Sequence, residues 1–457
     1  MMPKLPKHPL RKFIEPIEAA LLSDYYFSIQ KCLSFQGKLR LLWRYLIFRL
    51  TPKLAESSAE ISFVLYSKAC ERMLTPLILN LLERPELKKS VRINIVLLEN
   101  IHQLRLTPTH AAALQRSRCS VETDYFSLIR ACAQPEGKRV VLCLDHRFHT
   151  HHSWGVELAD RLRKFGVKTF SIQHGGTRKD SVEGLATAAS DVVLVWGERV
   201  FRELIKQYGV EPSRLRLVGN PLHDRISAID SQAVQQRLIQ AYPQLAEPLA
   251  TKQILLVATC LHTEYRGLAA EPDVYLNYME HLYKSIDFSK TLLLIKMHPL
   301  DTCQPNLYLQ AIPPELSDTA VTVIEANQTE LDIYSLLKIS DALITRASTV
   351  AEEALMMGKR VVSFDYFTEG PAKGYRHLEE YGLYQTVYPT PKHSLRQAIN
   401  QALEPSGLTP ASGADKDLAA EFTYRLDGQS TVRAADVLLE ELLTVGANEH
   451  ELINSLA

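Results

Sequence analysis

The sequence has no excess of charge of either sign, because 52 Lys and Arg residues balance 52 Asp and Glu residues. A protein held to a polyanion by bulk charge is therefore not expected, although a local basic patch stays open. The seven cysteines include no Cys-x-x-Cys pair, which argues against a zinc site or a disulfide framework and favours reduced thiols. There is neither the apolar run of a signal peptide nor an uncharged run of about 18 apolar residues, so we predict a cytoplasmic protein without a transmembrane helix.

Several motifs of nucleotide and hydrolase chemistry are also missing. The chain contains no GxxxxGK[ST] loop, no GxSxG elbow and no GxGxxG fingerprint, so the P-loop, hydrolase and standard dinucleotide-binding classes lose support. None of the predicted strands is followed by an Asp-x-Asp pair. A leaving phosphate would then be stabilised by a helix N-terminus, imidazole and cationic side chains rather than by Mg²⁺. We predict no metal and no cofactor.

What the sequence does contain is an alternation of short apolar runs with amphipathic segments, typical of parallel sheets covered on both faces. The predicted strands are 61–66, 91–99, 138–145, 167–173, 191–197, 215–221, 253–259, 291–299, 320–326, 341–348 and 359–365. Two successive sets of this kind predict an α/β protein with two Rossmann-like domains facing a central cleft. We divide the chain into a helical N-terminal extension (1–58), an acceptor domain (59–228) and a nucleotide-donor domain with closing helices (229–445).

The segment 37–54, GKLRLLWRYLIFRLTPKL, combines large apolar side chains with five basic residues. Its charges do not lie on one clean helical face. Two interpretations stay open: a helix packed on the neighbouring domain, or an interfacial helix that makes peripheral contact with anionic lipid.

In the donor domain the polar residues that follow strands are the first candidates, because ligands bind at the carboxyl edge of such sheets. Ser348 and Thr349 lie where a strand ends and a helix begins, which suits a phosphate, and Glu353 lies one turn further on. His298 ends another strand and can donate to a phosphate oxygen, with Lys296 adding positive charge. The alternatives are a simple N-cap at Ser348 and a capping role for His298.

In the acceptor domain, His174 follows a strand and precedes a glycine pair, which allows a substrate to approach the backbone. We predict His174 as a general base and Asp145, at another strand tip, as the second candidate. A structural histidine in a turn is the alternative. The loop after Asp145 is rich in imidazoles, but it lacks helical metal-ligand spacing, so we predict acceptor binding rather than a metal site. The residues concerned are His146, Arg147, His149 and His152.

Together these motifs resemble a GT-B glycosyltransferase over about residues 60–445. KMHP (296–299) and SDALITRASTVAEEAL (340–355) resemble the His-Pro and serine/threonine motifs of sialyl, Kdo and CDP-glycerol transferases. QHGG (173–176) resembles the His-Gly motif of polyol-phosphate transferases, and 196–226 is similar to the end of the first domain of non-hydrolysing UDP-sugar 2-epimerases. One departure is Arg346, which stands where the motif usually has Asp or Ser; it either binds the phosphate itself or indicates another donor.

The resemblance implies that His298, Ser348 and Thr349 bind the phosphate of a cytidine-linked donor, that Glu353 lies near its ribose, and that His174 is catalytic. We place the donor at these residues together with Lys296 and Arg346. The implied function is metal-independent transfer of a sugar or polyol phosphate to a surface-polysaccharide or lipid-linked glycan acceptor. Two alternatives remain. One is an enzyme like the non-hydrolysing UDP-sugar 2-epimerases, whose Arg-Pro-Glu-Asn signature is missing here but which could use Asp145 and Glu183. The other is a catalytically silent binding module of the same fold. No nucleic-acid partner is expected.

Overall fold

The computed structural model of the chain describes two compact units. The first unit contains the described residues up to Gly175, then Asp180–Asp224 and the residues from Thr423 onward; the second contains Gly176–Lys179 and Arg225–Phe422. The described residues are 43, 46, 59–87, 91–97, 106–116, 119–122, 128, 138–147, 153–259, 274–298, 308, 312–313, 316, 320–326, 328–367, 371–389, 394–404 and 417–444.

The first unit is built on a seven-stranded parallel sheet in the order β3-β2-β1-β4-β5-β6-β7. Its strands are β1 (Ala59–Leu65), β2 (Val91–Leu97), β3 (Ser120–Glu122), β4 (Arg139–Leu142), β5 (Lys168–Ile172), β6 (Val192–Val195) and β7 (Leu215–Leu217). Its helices before the second unit are α1 (Lys68–Glu83), α2 (Pro108–Arg116), α3 (Ser153–Lys164), α4 (Lys179–Ala186) and α5 (Glu198–Lys206). The strand order reverses between β1 and β4, which makes their carboxyl ends the topological switch point.

Local sequence explains these elements. β1 is buried along nearly its whole length because helices cover both faces of the sheet, and all its residues after Ala59 are buried, including the polar Glu60 and Ser62. α1 begins at Ser67, whose extended backbone and hydroxyl, accepting from the Cys70 N–H, form an N-cap. Full burial of side chains such as Phe63 and Leu74 stabilises this core by about 1.5–3 kcal/mol each.

The second unit carries a six-stranded parallel sheet in the order β10-β9-β8-β11-β12-β13. Its strands are β8 (Gln253–Thr259), β9 (Thr291–Met297), β10 (Val321–Ile324), β11 (Ala342–Thr345), β12 (Arg360–Phe364) and β13 (Tyr384–Val387). Its helices are α6 (Ser231–Ala241), α7 (Ala246–Thr251), α8 (Val274–Ser285), α9 (Ile333–Ile339), α10 (Val350–Met356), α11 (Leu395–Leu403) and α12 (Leu418–Thr423), with a long 3₁₀ helix at Pro371–Tyr381. The switch point of this sheet lies between β8 and β11.

The sequence-based assignment of strands is confirmed, since each predicted strand overlaps an observed one. Gly209 follows the end of α5 with a φ of +65°, and its N–H donates to the Ile205 carbonyl. β3 and β13 were not predicted. β3 is only three residues long, and β13 (YQTV) has two polar residues at its centre, so neither has the apolar run of a buried strand.

The structure differs from the predicted domain division at the C-terminus. The closing helix α13 (Ser430–Thr444) belongs to the first unit, whereas the sequence division assigned it to the donor domain. The Asp224 carboxylate accepts from the backbone N–H groups of Ser430 and Thr431, both at 2.7 Å, and satisfies the start of the helix. Leu438 and Leu442 pack in the core of the first unit. α13 is therefore held in the first unit by contacts with residues that are distant in sequence, such as Asp224.

The prediction of an α/β protein with two Rossmann-like domains is confirmed by the two doubly wound sheets. The predicted helical extension and the segment 37–54 lie outside the described residues, apart from Trp43 and Leu46, both of which are helical. The Trp43 side chain is 64% exposed. Within the described part of the chain, no helix combines the length and the apolar character needed to cross a bilayer.

Candidate functional site

The donor-side candidates lie at the carboxyl edge of the second sheet, as predicted. His298 directly follows β9, and Ser348 and Thr349 follow β11. Only β8 separates these two strands, so their backbones run about 9.5 Å apart at twice the usual strand spacing. All three side chains are half-buried. The sheet therefore brings an imidazole and two hydroxyls to one edge, on either side of its switch point.

The turn between β11 and α10 supplies the hydroxyls. The Val350 N–H donates to Ser348 Oγ over 3.4 Å, a long bond that leaves Ser348 only a weak cap. Thr349 already has helical angles (φ −57°, ψ −19°) and makes no side-chain cap. α10 spans only Val350–Met356, so its dipole is small, and the charge of a ligand here would rest mainly on side chains.

Arg346, predicted to contact a donor phosphate, lies instead in the protein interior. Only 2% of its surface is exposed, and its Nε donates to Asp365 Oδ1 over 3.0 Å. Asp365 also accepts from the Phe367 and Ala372 N–H groups, which fixes the loop after β12. The guanidinium is thus engaged in a buried ion pair that organises this loop, and its position differs from the predicted one.

Lys296, predicted to add positive charge beside a phosphate, instead contacts backbone carbonyls. Its Nζ donates to the carbonyl oxygens of Glu325 (2.6 Å) and Gln328 (3.2 Å), and the side chain is buried. Burial lowers the pKa of this amine to about 8. In this arrangement Lys296 holds the segment after β10, because its donors are committed to backbone acceptors.

Glu353, predicted to lie near a ribose, is held in place by a hydrogen bond from Tyr334. Tyr334 donates its hydroxyl to Glu353 Oε1 over 3.1 Å. The Arg225 guanidinium lies over the Tyr334 ring at 4.7 Å from its centroid and pairs with Asp332 at 2.8 Å. A carboxylate oriented in this way on the first turn of α10 is suited to accept hydroxyl hydrogens of a bound sugar or ribose.

Glu352 is a site residue that sequence reasoning missed. It is 4% exposed and accepts from both the N–H and the hydroxyl of Thr177, and the Thr177 hydroxyl also contacts His377. In the sequence, Glu352 and Glu353 are adjacent acidic residues on the first turn of the same helix. No local signal distinguishes them, because Thr177 and His377 are distant in the chain. Asp365 was detectable, since it is the last residue of a predicted strand.

At the carboxyl edge of the first sheet, the structure brings two of the predicted histidines together. The rings of His146 and His174 meet edge to face with their centroids 5.1 Å apart. His146 is 5% exposed, and its Nε2 lies 3.2 Å from the Ser181 carbonyl oxygen. A Cβ on Gly184 would overlap this ring at 1.6 Å, so α4 can pack here only with glycine. His146 is therefore an internal support of half-buried His174 rather than an acceptor-binding group.

Burial lowers the pKa of His146, so the neutral imidazole is favoured at neutral pH. Donation from Nε2 to the Ser181 carbonyl then leaves the lone pair on Nδ1. The ring thus has one defined tautomer beside His174.

Asp145, the second candidate base, is fully buried. Its Oδ2 accepts from the Ala189 N–H (2.7 Å), the Ser190 N–H (3.0 Å) and the Ser190 hydroxyl (3.2 Å). Desolvation raises the pKa of this carboxyl despite those bonds. The position differs from the predicted one: Asp145 secures the turn before β6, and an acceptor hydroxyl cannot reach it in this arrangement.

The remaining predicted acceptor residues are only partly covered. Arg147 is exposed, and its backbone N–H donates to the Thr187 hydroxyl. His149 and His152 lie outside the described residues. A search of the described part of the chain finds no group of three or more His, Cys, Asp or Glu side chains placed to hold a metal ion.

The fold and these edges define a GT-B-type protein, with two doubly wound parallel sheets of Rossmann order. A profile of the family UDP-N-acetylglucosamine 2-epimerase matches residues 166–407. Because that match covers just over half of the 457 residues, the chain belongs to the UDP-N-acetylglucosamine 2-epimerase family. Comparison with curated protein sequences finds no match.

Solved structures agree with this fold. A Listeria monocytogenes structure described as a UDP-N-acetylglucosamine 2-epimerase is 16% identical, with a TM-score of 0.53 over 82% of this chain and 95% of that one. The UDP-GlcNAc 2-epimerase of Neisseria meningitidis bound to UDP-GlcNAc is 13% identical, with a TM-score of 0.51 over 83% and 100%. A glycotransferase of kitacinnamycin is 16% identical, with a TM-score of 0.50 over 85% and 100%. At these identities the similarity establishes the fold alone.

Proposed function

We propose that the protein binds a uridine-diphosphate sugar at the carboxyl edge of its second sheet and breaks the bond between the sugar's anomeric carbon and the phosphate oxygen. The observation that carries this proposal is the placement of His298 after β9 and of Ser348–Thr349 after β11, on either side of the switch point, in a chain of a nucleotide-sugar family. The preference for uridine over the cytidine implied by the motif resemblance comes from relatives solved with UDP-GlcNAc.

Each side chain has a defined task in this proposal. His298 donates to the phosphate oxygen on which negative charge develops as the C1–O bond breaks, and the hydroxyls of Ser348 and Thr349 donate beside it. Glu353, held by Tyr334, accepts from the ribose hydroxyls. Arg346 and Lys296 act through the loops that they hold and do not contact the phosphate.

The first candidate for the reaction is 2-epimerisation, which the family match favours. Inversion at C2 requires that the C2 proton leave and return on the opposite face. Elimination breaks the C1–O bond while a base takes that proton, and re-addition of the nucleotide restores the bond. His174 is the base in this proposal, since it is half-buried beside the His146 ring, whereas the Asp145 carboxyl is fully buried.

The second candidate is glycosyl transfer to a hydroxyl of a surface-glycan or lipid-linked acceptor. It is favoured by the side chains at the edge of the first sheet, where the His174 imidazole is half-buried and the Asp145 carboxyl is fully buried. Transfer needs a single base to deprotonate the acceptor hydroxyl, and His174 can serve as that base.

One experiment separates these reactions. The protein is incubated in D₂O with UDP-N-acetylglucosamine alone and followed by NMR. Deuterium at C2 together with the C2 epimer establishes epimerisation. An unchanged sugar, with UDP released only after a glycan acceptor is added, establishes transfer. Calorimetric titration with UDP and CDP runs in parallel, and failure to bind either nucleotide would overturn the proposal and favour a silent module.

His298→Ala and Arg147→Ala form a matched pair for that titration. Both remove a basic side chain at a strand or loop end, but only His298 lies at the proposed phosphate position. The proposal requires that the first substitution weaken UDP binding and the second leave it unchanged.

A further inference from the structure

The segment Gly176–Lys179 belongs by its contacts to the second unit, although its neighbours on both sides in the chain belong to the first. Thr177 makes the principal contacts of this segment. Its N–H donates to Glu352 Oε1 over 2.7 Å, and its hydroxyl donates to the same oxygen over 2.9 Å. Thr177 and Glu352 are each 4% exposed, so these bonds lie in a poorly solvated environment where they are strong.

Thr177 also contacts His377, and the number of hydrogens available determines which of the two side chains is the donor. The Thr177 hydroxyl has a single hydrogen, which goes to the Glu352 carboxylate. The same oxygen lies 2.7 Å from His377 Nε2, within the 3₁₀ helix Pro371–Tyr381. That short contact is attractive only if Nε2 carries the hydrogen and donates it to the threonine oxygen. The order of donation therefore runs from His377 to Thr177 to Glu352.

Steric fit supports the same arrangement. A Cβ on Gly176 would lie 2.3 Å from Glu352 Oε1, so the carboxylate can reach Thr177 only because position 176 lacks a side chain. On the other side of the segment, the Arg178 stem packs close to Gly374, where an added Cβ would meet its Cγ at 3.2 Å. The close approach of Glu352 to Thr177 and that of Arg178 to residue 374 thus each depend on a glycine, at positions 176 and 374.

We propose that Glu352 is a positioning residue that, through the Thr177 hydroxyl and the Nε2–H of His377, fixes the backbone of the segment 176–179. The candidate base His174 precedes Gly176 by two positions, so the loss of this anchor is transmitted to His174 along the backbone. Only this effect on turnover rests on the proposed function. The anchor itself is a property of the fold and can be measured without any substrate.

The test compares Thr177→Val, which keeps the size and the N–H but removes the hydroxyl, with Thr177→Ser, which keeps the hydroxyl. In the wild type, ¹⁵N NMR should show His377 with hydrogen on Nε2. In Thr177→Val this signature should change, and exchange of the residue 177 amide should accelerate about tenfold or more, as expected for loss of a bond to a charged group. Thr177→Ser should restore both readings.

Turnover provides the second measurement. Thr177→Val should lower kcat by about tenfold or more while UDP binding stays within twofold, because displacement of a reacting group costs rate rather than donor affinity. Unchanged amide exchange and an unchanged His377 signature would overturn the anchor. If both change but no nucleotide sugar is converted by the wild type, the anchor stands and the proposed function fails. Gly176→Ala is a second variant that displaces Glu352 without removing a polar group, and unchanged exchange in it would equally count against the anchor.

Discussion

Replacement of Asp145 separates a catalytic from a structural role for this buried carboxyl. In Asp145→Asn the amide oxygen can still accept from the Ala189 and Ser190 N–H groups, and the hydroxyl oxygen of Ser171, whose side chain hydrogen-bonds Asp145, can accept from the new NH₂ group. We expect a stable protein with turnover within a few-fold of wild type. Asp145→Ala removes three bonds to Oδ2 and leaves two buried N–H groups unsatisfied, which should cost about 3–5 kcal/mol of unfolding free energy.

The unfolding free energy of the wild type should also depend on pH in a direction that Asp145 determines. Desolvation raises the pKa of Asp145 in the folded protein, so the folded state binds this proton more tightly than the unfolded state does. The associated stability is fully present below the unfolded pKa, about 4, and declines as the pH rises through the folded value. Asp145→Asn lacks this loss, so its stability relative to wild type should increase as the pH rises above about 4.

Urea denaturation of the wild type and both variants at several pH values measures these differences, and turnover is assayed on the same preparations. A folded Asp145→Asn protein that has lost turnover would refute the structural role and identify Asp145 as the base.

Four further outcomes are expected. His298→Ala should lower turnover or donor affinity by about 10²-fold, and unchanged kinetics would contradict the phosphate role. Lys296→Met should remove a rise in stability between about pH 8 and pH 10, because a Lys with a folded pKa of about 8 binds its proton less tightly folded than unfolded; parallel urea-denaturation profiles for the two proteins would contradict this. Arg346→Met leaves Asp365 buried without its Nε partner and should cost about 3–5 kcal/mol of unfolding free energy, whereas loss of UDP binding alone would restore the ligand role. EDTA should leave turnover unchanged, since no predicted strand ends in an Asp-x-Asp pair; activity that is lost and then restored by Mg²⁺ would contradict this.

The sequence was sufficient for the fold because periodicity and strand length are local properties. Runs such as TLLLIKM and ALIT are apolar throughout, as strands covered on both faces must be, and each is found as a strand. The same pattern placed His298 and Ser348 at one edge, since carboxyl ends of parallel strands share an edge. What it did not provide was the order of the strands or the return of α13 to the first unit, which depend on contacts between distant segments.

Side-chain roles were predicted less well, for a physical reason. A polar residue at a strand end can face a ligand or a neighbouring loop, and its own sequence does not distinguish the two. Asp145 faces the turn at Ala189–Ser190, and His146 faces the Ser181 carbonyl; both partners lie more than thirty positions away. Two glycines are the sequence features that correspond to these orientations, because Gly184 leaves room for the His146 ring and Gly176 leaves room for the Glu352 carboxylate.

The burial of Arg346 changes the electrostatics expected at the donor edge. A cation beside the phosphate would have offset much of the ligand's charge, but the Arg346–Asp365 pair is neutral as a unit, and Lys296 is held by backbone carbonyls. The imidazole of His298 is then a donor at this edge, and a protonated imidazole favours a dianionic phosphate. A donor whose phosphates carry two or more charges should therefore bind more tightly at a pH low enough to protonate an imidazole. UDP affinity measured from pH 8 to pH 5.5 in wild type and His298→Ala decides this, because only the wild type should show the increase.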